Sequence, residues 1–137
     1  MHQAKLNINV PFFDVDAMHV VWHGHYVKYI EMTRSELLRL FDYDYPTMRA
    51  NGHIWPIVDL RLKYVASAIY GQEIEVTATL VEWEHRLRID YIIRCCVTRK
   101  VLTKATSIQV AVDIKTQEML FESPDILLKK LGVERCT

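Results

Sequence analysis

The chain has little glycine, proline or cysteine, and its charges balance. Its 137 residues include four glycines, four prolines and three cysteines, and lysine plus arginine equals aspartate plus glutamate at 17 each. No net basic charge drives nucleic-acid binding. No apolar run approaches the roughly 18 residues of a membrane span, and the first ten residues lack the apolar core of a signal peptide. We therefore expect a cytoplasmic protein with no membrane span and no nucleic-acid partner.

The cysteines are odd in number and poorly placed for a disulfide. Cys95 and Cys96 are adjacent in a strand-like segment, so their side chains should point to opposite faces of a sheet. The third is Cys136, close to the end of the chain. We expect small buried or half-buried thiols rather than a disulfide or a metal chelate.

Half of the residues are hydrophobic, which is enough for the core of one domain over residues 1–137. Apolar and polar residues alternate at residues 5–12, which predicts a first strand. A broad apolar stripe over residues 24–41 predicts a long amphipathic helix. The next segment, 42–52, is predicted to be a loop with a short helical turn.

Alternation returns after Pro56, in runs at residues 58–64, 74–80, 87–97 and 108–114, which predicts four long strands. A short helix over residues 124–131 should follow, with Ser123 as its N-cap and Gly132 ending it.

One helix covering one face of a five-stranded, strongly curved antiparallel sheet is an α+β architecture. A long strand such as residues 86–97 would leave an open edge unless another copy paired with it, so we expect a homodimer or a homotetramer.

Asp16 and the helix start form the most informative pattern. Asp16 lies in a short polar loop, His23 follows, and Gly24 opens the helix. Free N–H groups at a helix start can hold a developing negative charge, and acyl transfer uses such donors together with an attacking group. The alternative for Asp16 is a turn or N-cap aspartate, which is our interpretation of Asp14. The alternative for Gly24 is that it permits a tight turn or close packing.

The arrangement D-A-x-x-V-V-W-H-x-x-Y at residues 16–26 resembles the hotdog-fold acyl-CoA thioesterases, in particular the 4-hydroxybenzoyl-CoA thioesterase branch and its YbgC-like relatives. The segment YIEMTR at residues 29–34 is similar to that branch's aromatic-aromatic-Glu-x-x-Arg pattern. Residues 63–71 are similar to its connection between the second and third strands. The resemblance covers residues 5–131, and it implies a hotdog fold wrapped around one long central helix.

The resemblance also implies an activity, the hydrolysis of an acyl or aroyl thioester of coenzyme A or acyl-carrier protein. Asp16 would attack the carbonyl or activate water. The oxyanion would be held by amides at the helix start, namely those of His23, Gly24 or His25, with His23 assisting. No cofactor or metal is required.

Two further sets of residues are candidates for substrate contacts. The aromatic set, which can line the acyl pocket or be ordinary core, is Trp22, Tyr26 and Trp55. The basic set, which can meet the phosphates of coenzyme A or be merely solvated, is led by Lys63 and Arg86.

The sequence departs from the family at several positions. His19 stands where the family usually has glycine, and Gly24 where relatives often have alanine or proline. Ser67 replaces a common proline, and Gln72 replaces an acid. His19 adds bulk beside the site, so these changes indicate a divergent subgroup with a different acyl preference.

Several alternatives stay open. A dehydratase or hydratase of the same fold would use His23 with an acid from the helix, here Glu31, although Glu31 is better explained by a partly buried ion pair with Arg34. A non-catalytic acyl-CoA-binding module is another. A metal site is a third, and its ligands would come from His19, His23, His25, Asp14 and Asp16.

Overall fold

Alternating apolar residues build a sheet, and the long amphipathic segment crosses it. The structure is a computed structural model that describes residues 2–135, so the prediction for Cys136 lies outside the described residues. The elements in chain order are β1 (Gln3–Asn9), α1 (His25–Leu40), α2 (Tyr45–Ala50), β2 (His53–Ile54), β3 (Ile57–Tyr64), β4 (Glu73–Glu82), β5 (Leu87–Cys95), β6 (Val101–Gln109), β7 (Val112–Asp113) and α3 (Asp125–Leu131).

The main sheet has five antiparallel strands in the order β1-β4-β5-β6-β3, which confirms the predicted architecture. The expectation that residues 86–97 leave an open edge is wrong, because β5 is the central strand. The open edges are β1 and β3. Two short strands, β2 and β7, pair in a separate small sheet that the sequence did not indicate.

The last long strand differs from its prediction. It runs from Val101 to Gln109, and its inward residues include Thr103, Ser107 and Gln109, all fully or almost fully buried. Ile108, predicted to point inward, is on the outer face with its neighbours Lys104 and Thr106. Polar atoms on the inner face hide this strand from an analysis of apolar periodicity. Two of them find partners, since Ser107 bonds the Tyr91 hydroxyl at 2.7 Å and the Gln109 side chain donates to the Trp55 carbonyl at 2.8 Å.

The first strand ends earlier than predicted. β1 stops at Asn9, and Phe12 lies in a 3₁₀ turn, Phe12–Asp14, where its ring is exposed.

Helix α1 matches its prediction, with Gly24 as the N-cap and Phe41 as the C-cap. Its residues Ile30, Leu37 and Leu38 are fully buried in the core. The predicted ion pair between Glu31 and Arg34 is confirmed: Arg34 is 2% exposed, and its Nε donates to the Tyr45 hydroxyl at 2.8 Å. This contact ties α1 to α2.

The two short helices confirm their predicted positions but not every cap. Asp44 caps α2 by accepting the Thr47 N–H at 3.2 Å, and α3 ends at Gly132, whose φ of +72° is left-handed. Ser123 does not cap α3. Its hydroxyl donates to the Trp83 carbonyl instead, and Pro124 occupies the N-cap position.

The buried apolar side chains form two clusters. The larger lies under the middle and end of α1 and includes Trp55 and Leu127. The smaller lies near the start of α1 and includes Tyr26, Tyr29 and Ile93. Cys95 is buried, Cys96 is partly exposed and both are free thiols, as predicted. Within residues 2–135, no helix is long and apolar enough to cross a bilayer.

Candidate active site

The loop before α1 contains a tight turn over residues 16–19. The Asp16 carbonyl accepts the His19 N–H at 2.9 Å, and the Asp16 N–H donates to the Val20 carbonyl at 2.9 Å. The Asp16 Oδ1 accepts the Met18 N–H at 2.8 Å. His19 has a φ of +65°, which is a left-handed conformation. Glycine adopts it without steric cost, and histidine adopts it less often. This geometry explains why a glycine suits the position.

A cavity of about 210 Å³ opens beside this turn. It is lined by Asp16, Met18, Val20, Val21, His23, Tyr26, Tyr64, Ala66 and Ser67. Three residues singled out from sequence, Asp16, His23 and Tyr26, therefore meet around one cavity at the start of α1. His19 is exposed and is absent from the lining, so its ring does not fill the cavity.

Asp16 is half-buried and only lightly engaged. Apart from the bond to the Met18 amide, its carboxylate makes no hydrogen bond or ion pair with residues 2–135. The His23 ring lies 4.9 Å from the Trp22 ring, centroid to centroid, and is not hydrogen-bonded to Asp16. His23 could assist by orienting Asp16 or by donating to the substrate carbonyl, and the first of these contacts is not seen.

Tyr64, at the end of β3, is a site residue that sequence reasoning missed. Its hydroxyl donates to the His23 carbonyl at 2.9 Å, and its ring packs edge-to-face on Tyr26 at 5.2 Å. The His23 carbonyl and the Gly24 N–H belong to one planar peptide unit. Tyr64 therefore fixes the direction in which the Gly24 N–H points. In the sequence it was a member of an alternating run and of the family-like segment 63–71, and no role was assigned to it.

Two of the three predicted amide donors at the helix start are free. The His25 N–H donates to the Trp22 carbonyl at 2.9 Å, so it is not available to a substrate. The N–H groups of His23 and Gly24 make no hydrogen bond within the described chain. The prediction thus narrows to His23 and Gly24.

Gly24 leaves room for the Trp22 ring, and its backbone conformation does not need a glycine. Its φ of −71° suits any residue, but an added Cβ would lie 2.1 Å from the Trp22 ring. The Trp22 ring covers Gly24 and is half-exposed, outside the lining of the cavity. The close-packing interpretation of Gly24 holds, and it is compatible with a free Gly24 amide.

Asp14 is a buried carboxylate in the same loop, and the sequence did not indicate its contacts. It is 2% exposed, and its carboxylate accepts hydrogen bonds from Lys28 Nζ at 2.6 Å and the Tyr29 hydroxyl at 2.5 Å, with His25 Nε2 at 3.9 Å. Burial alone would raise the pKa of Asp14, but the hydrogen bonds from Lys28 and Tyr29 and the nearby charges hold it below its usual value. Our interpretation of Asp14 as a turn or N-cap aspartate is wrong: it anchors the loop to α1.

Burial also raises the pKa values of two tyrosines of α1, Tyr26 and Tyr29. It raises the pKa of Tyr29, reinforced by the Asp14 carboxylate, and it raises the pKa of Tyr26, whose oxygen accepts the Ala68 N–H at 3.0 Å. Both phenols therefore stay neutral at ordinary pH.

Trp55 and Arg86 lie away from the cavity. Trp55 is 4% exposed in the larger core cluster, and its Nε1 donates to the Tyr43 hydroxyl at 3.1 Å, which is the ordinary-core alternative. Arg86 pairs with Glu82 at 3.1 Å just before β5, whereas Lys63 is level with Ile92 on β5. At about 3.3 Å per residue, Arg86 and Lys63 are roughly 20 Å apart along the sheet. The two residues of one subunit therefore do not form the single phosphate-binding pair that was predicted.

The residues of two alternative sites, the His23–Glu31 dehydratase pair and the candidate metal ligands, are not brought together. Glu31 is engaged with Arg34 and does not line the cavity with His23. Among residues 2–135, no group of three or more His, Cys, Asp or Glu side chains lies close enough to hold a metal ion.

Comparison with known proteins identifies the family. Residues 10–131 match the family described as the Thioesterase-like superfamily. A relative from Bacillus subtilis, YneP, which is named as a candidate acyl-CoA thioesterase, is 30% identical over 83 residues, or 61% of this chain and 57% of YneP. The chain thus spans little more than half the length of that relative.

Solved structures share the fold. Slr0204 from Synechocystis, titled a 1,4-dihydroxy-2-naphthoyl-CoA thioesterase, has a TM-score of 0.84 at 17% identity, covering 95% of this chain and 96% of its own. A 12:0-ACP thioesterase from Umbellularia californica has a TM-score of 0.85 at 16% identity, covering 96% of this chain and 53% of its own. The chain belongs to the Thioesterase-like superfamily and has its hotdog fold.

Proposed function

We propose that this protein hydrolyses an acyl or aroyl thioester of coenzyme A or of acyl-carrier protein. The observation that carries the proposal is the shared cavity in which a half-buried, lightly engaged Asp16 lies with His23 and the start of α1. Family membership and the acyl-CoA thioesterase name of YneP support the same activity.

The chemistry follows from this arrangement. A thioester has a good leaving group, so a carboxylate suffices as nucleophile or as general base for water. Negative charge then develops on the carbonyl oxygen. The free amides of His23 and Gly24, at the positive end of α1, can receive that charge. Each such donor typically contributes roughly 2.7–4 kcal/mol to the transition state.

Tyr64 is the positioning residue of this proposal. By donating a hydrogen bond to the His23 carbonyl, Tyr64 restrains the His23–Gly24 peptide plane and with it the direction of the Gly24 N–H. Preorganised donors stabilise charge without reorganising during the reaction. Tyr64 should therefore matter for turnover although it touches no reacting atom.

We also propose a homodimer, with a tetramer as a further assembly, formed through β3. The two open edges differ. The exposed side chains of β1, such as Lys5 and Asn7, are all polar, of the kind that protects an edge. β3 exposes Arg61 and Lys63 as well, but it and the residue after it also expose the apolar or aromatic side chains of Val58, Tyr64 and Val65. Because Tyr64 lines the cavity and lies on this edge, a partner there would sit next to the site.

Measurement of free thiol released from a panel of acyl-CoA and aroyl-CoA thioesters tests the activity. The native protein should release thiol, and Asp16→Asn should lower kcat by roughly 10²–10⁴-fold, the usual contribution of such a group. Glu118→Gln, an exposed carboxyl remote from the cavity, is the matched control.

The outcomes separate the alternatives. Equal rates in the native protein and Asp16→Asn would end the role of Asp16. Loss of water from a 3-hydroxyacyl-CoA member of the panel, giving an enoyl-CoA in place of free thiol, would favour the dehydratase of the same fold. Tight thioester binding with no thiol released by the native protein would favour the binding module.

A further inference from the structure

Two lysines face each other on the outer surface of the sheet. Lys63 of β3 and Lys104 of β6 are direct partners in the antiparallel ladder, and both are exposed. Directly opposed residues place their Cβ atoms about 4.5–5.5 Å apart, and like charges in this position are destabilising. Such a pair is stabilised when an anion lies between the two ammonium groups.

No side chain of residues 2–135 fills that role. Neither lysine makes an ion pair or a side-chain hydrogen bond within this part of the chain. The nearby carboxylates are already engaged. Asp90 accepts from the Thr106 hydroxyl at 3.0 Å and from Arg88 Nε at 3.4 Å, and Asp59 pairs with Arg61 at 3.1 Å.

The lysines border a cavity large enough for an anionic group. Its volume is about 420 Å³, and its charged and hydroxyl-bearing lining includes three cations, Arg61, Lys63 and Lys104, against one carboxylate, Asp90, which Thr106 and Arg88 engage. Phosphate suits this lining because its several oxygens can accept charge-assisted hydrogen bonds from both ammonium groups at once.

This cavity and the Asp16 cavity lie on opposite faces of the sheet, and both are bordered by the end of β3. Lys63 and Tyr64 are consecutive, so their side chains point to opposite faces of the strand. Lys63 borders the outer cavity, and Tyr64 lines the cavity of Asp16. A ligand that passes round the end of this edge strand can therefore occupy both.

We propose that Lys63 and Lys104 bind the phosphates of the coenzyme A part of the substrate while its thioester lies at Asp16. The proposal rests on the proposed function, and it replaces the predicted pairing of Lys63 with Arg86. Phosphate in this site has two sources, the substrate itself or a separate free nucleotide, and the geometry at the end of β3 favours the substrate.

The first experiment measures binding without catalysis. Adenosine 3′,5′-bisphosphate, a phosphate-bearing fragment of coenzyme A, is titrated calorimetrically into the native protein and into the double variant Lys63→Met, Lys104→Met. We expect affinity to fall roughly tenfold or more, which corresponds to at least about 1.4 kcal/mol. The double variant Lys63→Arg, Lys104→Arg should retain binding, and Lys115→Met, an exposed lysine elsewhere, is the control. Unchanged affinity in the methionine variant overturns the site.

The second experiment links the site to the substrate. Hydrolysis of an acyl-CoA is compared with hydrolysis of the same acyl-pantetheine, which has no phosphate. The methionine variant should raise KM for acyl-CoA about tenfold, leave kcat within twofold, and leave acyl-pantetheine kinetics unchanged. An equal loss on both substrates, or none on acyl-CoA, overturns the proposal.

Inhibition separates the two sources of phosphate. Adenosine 3′,5′-bisphosphate should compete with acyl-CoA, and non-competitive inhibition would indicate a separate effector and overturn the link to substrate. If the native protein releases thiol from neither substrate, the proposed function fails, while the calorimetric titration still decides whether the lysines bind phosphate.

Discussion

The two ends of one short loop treat a carboxylate in opposite ways. At the start of the loop, Asp14 is buried and held by Lys28 and Tyr29. Two residues later, Asp16 is half-buried beside a cavity and accepts a single local amide. Identical side chains therefore have different surroundings, since Asp14 fixes the loop on α1 whereas Asp16 is left with the chemical role proposed for it.

The division also accounts for the charge environment of the site. Asp14 neutralises Lys28 and lies beside His25 on the first turns of α1. The negative charge of Asp14 is therefore balanced within the protein, chiefly by Lys28. Asp16 has no such cationic partner within 4 Å among the described residues, as the proposed attack on a carbonyl requires.

The largest expected effect is on stability. Asp14→Ala removes two charge-assisted hydrogen bonds from a buried site and should lower the free energy of unfolding by about 2–3 kcal/mol. Asp16→Ala removes one amide contact and should lower it by about 1 kcal/mol or less. Urea unfolding of both variants measures the contrast. Equal losses would show that the two carboxylates do not differ as the contacts indicate.

A smaller effect is expected for one donor to Asp14. Tyr29→Phe removes the hydroxyl that lies 2.5 Å from the carboxylate but keeps the ring. The free energy of unfolding should fall by about 1.5 kcal/mol. Tyr70→Phe, on an exposed ring, is the matched control and should change nothing measurable. A loss of the same size in the control would remove the special role of the buried hydroxyl.

The smallest effect is the pH dependence that Asp14 gives to stability. Its folded pKa lies below its usual value of 3.8, so its ionisation stabilises the folded state above about pH 4, and this contribution is lost as the pH falls through the folded pKa. The difference in unfolding free energy between the native protein and Asp14→Asn should stay constant from pH 7 to 5 and shrink below pH 4. A difference that grows on acidification would contradict the assigned direction.

Apolar periodicity predicted the elements that bury one apolar face. Helix α1 and the strands β4 and β5 were found close to their positions because Ile30, Ile74 and Ile89 repeat at the period of their element. Residues 101–107 were missed because Thr103 and Ser107 point inward. The central place of β5 was missed because periodicity carries no information on strand order.

The site was predictable only where its parts are close in sequence. Asp16, His23 and Gly24 lie within one loop and helix start, so their proximity follows from local structure. Asp14 was misjudged because its partners Lys28 and Tyr29 reach it from the second turn of α1. Tyr64 was not identifiable, since its contact with His23 spans 41 positions of the chain.

The left-handed backbone at His19 limits how this loop can vary among relatives. β-Branched side chains would strain the turn there, whereas Gly, Asn and His are accommodated. The imidazole projects away from the cavity walls. The positive φ favours glycine over histidine, and His19 does not line the cavity, so a difference in acyl preference should be sought at Met18, Val20 or Ser67, which do line it.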